Sequence, residues 1–296
     1  MIQKKLHTHI WFDTQAVEAA QFYTTVFDAE IEFINKIQGT PSGDCDIVGL
    51  RIEDAMFQFI SAGPYFSPNP SISFTVACAS ETEAETFWNK LSNEGKVLME
   101  YGDYPFATKY GWCEDKYGVS WQISYAKDQQ ASQRITPSFL FVGDAVGKAE
   151  AAMEFYTSIF PASGIDFVSK YGENPGPDKP EYVNYGSFHL VNQGFVAMDS
   201  AMEHKFGFTE GISIIVYCKD QEEIDKYWSA LSAVPEAEQC GWLKDKFGVS
   251  WQIVPMQMER MMNTEDEAAK KRVTEAFLKM KKFDLAALEK AFNREV

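Results

Sequence analysis

Apolar and polar positions alternate along much of the chain, and the alternation repeatedly gives way to helical spacing and then returns. Leu6 to Phe12 is a short apolar-rich strand. Asp13 and Thr14 then offer an N-cap, and Ala19, Phe22, Tyr23, Val26 and Phe27 recur at helical spacing, which predicts a helix over 15–27. Strands are predicted over 30–37, 47–52 and 55–61, so the order is one strand, one helix and three strands. After the proline-rich connection GPYFSPNP (63–70) that order begins again. Ile72, Phe74, Val76 and Cys78 alternate with Ser73, Thr75 and Ala77 as a strand. Ser80 caps a helix over 81–93 whose stripe is Ala84, Phe87, Trp88 and Leu91, and strand candidates follow at 97–101, 110–113 and 119–125.

The whole pattern then repeats. GWCEDKYGVSWQIS (111–124) returns as GWLKDKFGVSWQIV (241–254), identical at ten of fourteen positions and 130 residues on. FYTTVF (22–27) returns as FYTSIF (155–160), and ISFTVAC (72–78) as ISIIVYC (212–218). A fixed-order repeat of this kind is a tandem duplication and decides the architecture before any local reading does. The offset rises from 133 to 140 and falls to 130, which places insertions in loops, at 173–181 and in the longer 95–110 segment of the first half. Within the repeated stretch, Asp-Lys-aromatic-Gly is turn chemistry. After it Val119, Trp121 and Ile123 point one way and Ser120, Gln122 and Ser124 the other, so Gln122 and its counterpart Gln252 sit mid-strand on the polar face. That face is either solvated or the lining of a concave pocket.

The fold class expected is α+β: four βαβββ modules, two per domain, forming two curved mixed-sheet cups. The domains are read as 1–126 and 135–256, with KDQQASQR (127–134) as a polar linker. Residues 257–296 leave the repeat and read as two helices. Thr264, Asp266 and Glu267 start the main one, Phe283 and Asp284 mark the break, and Val273, Phe277, Leu278 and Met280 form the apolar stripe. That stripe is expected to pack on the body or on a second subunit.

Charge narrows the partners. The formal net charge is −16. Residues 1–255 carry 18 Lys/Arg against 35 Asp/Glu, whereas the tail is balanced at 9 against 8. An acidic body argues against nucleic acid, which needs a basic surface. No apolar run approaches the roughly 20 residues of a membrane helix, and the N-terminus lacks the apolar core of a signal peptide. The five cysteines are scattered and form no CxxC, which fits reduced thiols and a cytoplasmic location. Cys113 and Cys240 are expected to be core residues. The chain has no GxGxxG, P-loop, GxSxG or HExxH.

Four successive βαβββ modules resemble the vicinal oxygen chelate superfamily of glyoxalase I, extradiol dioxygenases and bleomycin-resistance proteins. ITPSFLFVGD, AMEFYTSIFP, EGISIIVYC, QCGWLKDKFGVSWQIVP and MKKFDLAALEKAF resemble its PhnB-like branch from Ile135 to Phe292. That branch often carries the name 3-demethylubiquinone-9 3-methyltransferase. Residues 6–125 match the same pattern more loosely. The resemblance implies a divalent metal held between first and last strands. It places the last-strand carboxylate on Gln122 and Gln252, which are neutral amides, and the first-strand histidine on Thr8 and Pro137. A shift of one residue would instead bring His7 and His9 onto the cup face, as a candidate metal set with Gln122. The plainer reading, two strand histidines satisfied by hydrogen bonds, is preferred, and His189 and His204 are read as structural.

The reading that follows is a small-molecule binder whose ligand is partly aromatic, held without the superfamily's metal. Its cup would be drawn from Trp11, Phe57, Phe59, Tyr65, Trp112 and Gln122 of the first half, with Gln252 as the counterpart in the second. The alternative is an isomerase, lyase or oxygenase dependent on zinc, iron, nickel or manganese, with His7 or His9 and Gln122 holding the ion. A methyltransferase is disfavoured because no glycine-rich strand-to-helix turn is present. The resemblance also implies a homodimer.

Overall fold

The computed structural model describes residues 4–127, 132–173 and 176–294. Half of the expected linker, residues 128–131, lies outside the described residues. The first module is β1 (Leu6–Phe12), α1 (Ala16–Val26), β2 (Ala29–Thr40), β3 (Gly43–Ile52) and β4 (Ala55–Ser61). The second is β5 (Ile72–Ala77), α2 (Glu81–Leu91), β6 (Lys96–Tyr104), β7 (Ala107–Glu114) and β8 (Ser120–Tyr125). The third is β9 (Ile135–Phe141), α3 (Ala149–Ile159), β10 (Gly164–Lys170), β11 (Val183–Leu190) and β12 (Gln193–Asp199). The fourth has only β13 (Ile212–Cys218), α4 (Gln221–Leu231), β14 (Trp242–Lys244) and β15 (Ser250–Pro255). It lacks a counterpart of β6, which is the ten-residue fall in the repeat offset seen in three dimensions.

The sheets do not follow the halves of the sequence. One has the order β14-β15-β13-β1-β4-β3-β2 and the other β10-β11-β12-β9-β5-β8-β7-β6. The first module therefore shares a sheet with the fourth, through the antiparallel pair β1–β13. The second shares one with the third, through β5–β9. Both sheets are mixed, since β1–β4, β13–β15, β5–β8 and β9–β12 are parallel. The expectation that each half closes its own cup is corrected by this pairing. Hydrophobic period reports which residues share a face and is silent on which module supplies the neighbouring strand.

What ties each half together is a buried carboxylate. Asp115, in the turn before β8, accepts from Tyr23 Oη of α1 at 2.7 Å and from Trp121 Nε1 at 2.9 Å. The backbone N–H groups of Tyr117 and Val119 also donate to it. Asp245 repeats the arrangement with Tyr156, Trp251, Phe247 and Val249. The repeated DKxGVSW stretch is thus a buried cap that joins a turn, a strand tryptophan and the helix of the preceding module. Gly118 and Gly248 complete the turns with φ of +80° and +92°, a region that glycine enters without strain.

Ser80 caps α2 by accepting from Glu83 N. The cap expected from Asp13 and Thr14 is not made. Gln15 occupies the N-cap position of α1 without a side-chain bond, and Ser61 Oγ of β4 accepts from Ala16 N instead.

The tail forms three helices, not two: α5 (Gln257–Met262), α6 (Glu267–Phe277) and α7 (Leu285–Asn293). Asp266 and Asp284 cap the last two. Met261, Val273, Phe277, Phe283 and Leu288 make the tail's own core, which packs against Ile37, Cys240 and Val254 of the body. At the edge of β14 the backbone N–H groups of Cys240 and Gly241 donate to the carbonyls of Met280 and Lys281. Their counterparts by the 130-residue offset, Tyr110 and Gly111, lie on β7 beside β6. The tail covers the edge that the missing strand leaves open. Among the described residues no helix is long and apolar enough to cross a membrane.

Candidate functional site

Strand alternation decides what β1 offers to each side. Leu6, Ile10 and Phe12 enter the main core, so His7, His9 and Trp11 face the other way. There they line a cavity of about 1490 Å³ to which all seven strands of the first sheet contribute. Register sets the floor: His9 lies opposite Gln58 of β4 and Ser213 of β13. Gln252 Nε2 donates to Ser213 Oγ at 3.0 Å, and Tyr217 Oη donates to Gln58 Oε1 at 3.2 Å. The rings meet edge to face, His9 with Trp242 at 5.1 Å and His7 with Tyr217 at 4.7 Å. Trp11 stands against Phe66 and is fixed by its Nε1 donating to Gly63 O at 2.8 Å. Tyr65, Met56 and the tail residues Met258, Met262, Phe277 and Phe283 add apolar lining, and Lys4, Arg51, Glu32 and Glu210 are among the charged residues that reach it.

The histidines are buried, at 7% exposure for His7 and 1% for His9. His7 Nε2 and His9 Nδ1 have no hydrogen-bond partner among the described residues. The expectation that both would be satisfied fails at one nitrogen of each ring. Burial pushes the His9 pKa down to about 3. Burial, with the Lys4 charge second, pushes His7 to about 4, against the opposing effect of a hydrogen bond that the imidazole donates to the Lys4 backbone. Both imidazoles are therefore neutral at neutral pH.

The other sheet shows the same face without those groups. Ser73 lies opposite Ser138 there, as Ser213 lies opposite His9. Gln122 Nε2 donates to Ser73 Oγ at 2.6 Å, Tyr110 Oη donates to Gln122 Oε1 at 2.8 Å, and the Thr75 and Ser138 hydroxyls are 2.9 Å apart. Small hydroxyls satisfy one another where the first sheet sets histidines.

Several expected site residues move accordingly. Trp11, Tyr65 and Gln252 line the cavity with His7 and His9. Trp112 and Gln122 belong to the other sheet, so neither joins this site. Phe59 is core, packed on Phe12 and Tyr23, and Phe57 packs on Phe74 while reaching the cavity lining. The parallel register explains both, since Phe57 lies opposite Thr8 and Phe59 opposite Ile10, on the face away from His9. Thr8 is for the same reason not the cup-facing position, and Pro137 lies between the cup-facing Thr136 and Ser138. Trp242, Ser213, Gln58 and Tyr217 were not anticipated. Trp242 was within reach, being the repeat counterpart of Trp112. His189 and His204 pair with Asp166 and Ser200, away from the cavity.

The fold implies a divalent metal, and the residues present do not fit one. His7, His9 and Gln252 bring no carboxylate to the floor, Gln122 is on the other sheet, and the described residues contain no group of three His, Cys, Asp or Glu able to hold an ion.

Two sheets built from repeated βαβββ units place the chain in the glyoxalase class of folds. A glyoxalase I mutant from Zea mays aligns over 88% of this chain and 97% of its own at 12% identity, with a TM-score of 0.51. A Bacillus subtilis protein described as a candidate dioxygenase aligns over 84% of each chain at 12% identity, with a TM-score of 0.50. Within that class, residues 4–124 and 133–254 each match the family described as 3-demethylubiquinone-9 3-methyltransferase, and the chain belongs to that family as a tandem pair. The PhnB protein from Bacillus cereus, a candidate of the same description, is 36% identical over 42% of this chain and all of its own, with a TM-score of 0.39. No curated protein matches the chain.

Proposed function

We propose that the protein binds a small, uncharged, partly aromatic molecule in the cavity of the first sheet, without the superfamily's metal. The observation that carries this reading is the pair of buried imidazoles, each with an unpartnered nitrogen, on the wall of a large apolar cavity. A buried polar group without a partner costs about 1–3 kcal/mol, which a ligand's hydroxyl or carbonyl would relieve, directly or through a water. The hydroxyls on the matching face of the other sheet already satisfy one another, so the reading attaches to one cup and not to both. Trp11, Trp242 and Tyr65 supply flat apolar surface, as small-molecule sites require. The neutral histidines themselves offer no charge to an anion, and the charged side chains of the lining include both signs, Lys4 and Arg51 with Glu32 and Glu210.

Calorimetric titration with naphthol tests this. Binding that quenches tryptophan fluorescence and is weakened by Trp242→Ala but not by Trp112→Ala supports the reading. Stoichiometric divalent metal retained through purification, and lost in His9→Ala, replaces it with the metal-dependent isomerase, lyase or oxygenase.

A further inference from the structure

We infer that the C-terminal segment is a wall of the ligand cup, and that Met258 and Met262 on α5 set the width of the flat aromatic molecule admitted. The inference rests on the binding reading above and assigns selectivity to residues outside the duplicated body. Three observations carry it. Met258 and Met262 stand four residues apart, on one face of a helical turn, and both line the cavity while packing against the tail's own core, which the buried Met261 enters. Phe277 and Phe283 line the same cavity from farther along the tail. The segment is also fixed to the sheet that forms the cup. It is held by the backbone bonds from Cys240 and Gly241, by Gln221 Nε2 donating to Phe283 O at 3.1 Å, and by Gln257 Nε2 donating to Lys219 O at 2.9 Å.

The chemistry of the wall is specific. Four strands of the first module meet only three of the fourth, so one side of the cup is closed by helix instead of sheet. A helix presenting thioethers makes a soft, polarizable surface that settles against ring faces and edges. The indoles of Trp11 and Trp242 line the same cavity and are rigid. A cup lined by both yielding thioethers and rigid indoles selects flat ligands by thickness and width.

The test compares the full chain with Met258→Ala/Met262→Ala, titrated calorimetrically with naphthol and with the wider hydroxypyrene. Both methionines are only partly buried, and circular dichroism establishes that the variant is folded. The expected result is a shift in preference of roughly tenfold toward hydroxypyrene in the variant, which corresponds to about 1.4 kcal/mol. Equal affinities of the two proteins for both probes, with Trp242→Ala still weakening them, overturn the wall and leave the cup as the site. Binding of neither probe by the unsubstituted protein overturns both. If the double alanine variant does not fold, Met262→Leu against Met262→Trp takes its place. Exclusion of hydroxypyrene by the tryptophan but not the leucine supports the wall, and indifference to both rejects it.

Discussion

Tyr23 donates its hydroxyl to Asp115 at 2.7 Å across the boundary between the first two modules, and Tyr156 does the same to Asp245 in the second half. Each carboxylate also holds a tryptophan N–H and two backbone N–H groups, so four donors converge on one buried acid. Removing one donor leaves the acid three. Removing the acid strands the buried tryptophan N–H and both backbone donors. Tyr23→Phe is therefore expected to lower stability by about 1–3 kcal/mol, and Asp115→Ala by more than Tyr23→Phe, measured by urea unfolding. An Asp115→Ala protein as stable as the parent would show that the repeated stretch is retained for another reason.

The same buried groups make stability depend on pH in opposite directions. Burial raises the pKa of Asp115 to about 6, although its four donors pull the other way, and it raises Asp245 too. An acid with a raised pKa in the folded state contributes stability at low pH that is lost as pH rises through the folded value. His7 and His9, lowered to about 4 and about 3, contribute stability above about 6.5 that is lost as pH falls toward those values. Between pH 4 and 6 the two pairs oppose each other. His9→Phe removes one proton from this balance. Its stability should therefore fall with rising pH relative to the parent, by about 1.4 kcal/mol per pH unit in that window. Parallel curves of unfolding free energy against pH for the two proteins would mean that His9 is charged in the fold.

Neutral histidines also predict how binding responds to pH. With both pKa values near or below 4, neither imidazole titrates between pH 5.5 and 8. Naphthol affinity should therefore vary less than about twofold across that range, well under the 1.4 kcal/mol that makes a factor of ten. His9→Phe keeps the apolar wall but removes the nitrogens, and should weaken naphthol more than naphthalene. Calorimetry at three pH values checks both statements.

How much of this was legible in the sequence differs by element. The strands Leu6–Phe12 and Ala55–Ser61 emerged at their observed bounds, because alternation over seven residues is a strong signal when one face is buried. The Ser80 cap was legible because it is local. The cap of α1 was not, because Ser61 arrives from a strand 45 residues away. The duplicated stretch was legible as a turn and a strand, yet local pattern cannot show that its aspartate joins two modules or that β1 pairs with β13. The site straddles that pairing. Trp11, His7 and His9 line one cavity with Trp242, which local pattern did not single out, while Trp112 and Gln122 lie on the other sheet. A one-residue register decided between Thr8 and its neighbours, and only the partner strand fixes it.

The contact between tail and body can be loosened at a single backbone position. Gly241 sits at the junction of β14 with the tail at φ +83°, and its N–H donates to Lys281 O. A Cβ there would lie 2.5 Å from Phe283 Cε2 and 3.1 Å from Ile253 O, with no room on the backbone side. Alanine would carry a left-handed backbone penalty of roughly 1–2 kcal/mol and would also displace Phe283. Because Phe283 belongs to the tail's core and not the main one, the damage should be regional. Gly241→Ala is expected to leave the sheets folded while amide exchange in residues 257–293 accelerates and proteases cut there first. Gly118→Ala makes the informative comparison. It has a similar positive φ, but nothing closer than 3.9 Å would meet the added carbon, so it bears backbone strain without the clash. Faster tail exchange in Gly241→Ala alone would assign the effect to Phe283. Equal acceleration in both variants would assign it to general loss of stability and would separate the tail from the edge it covers.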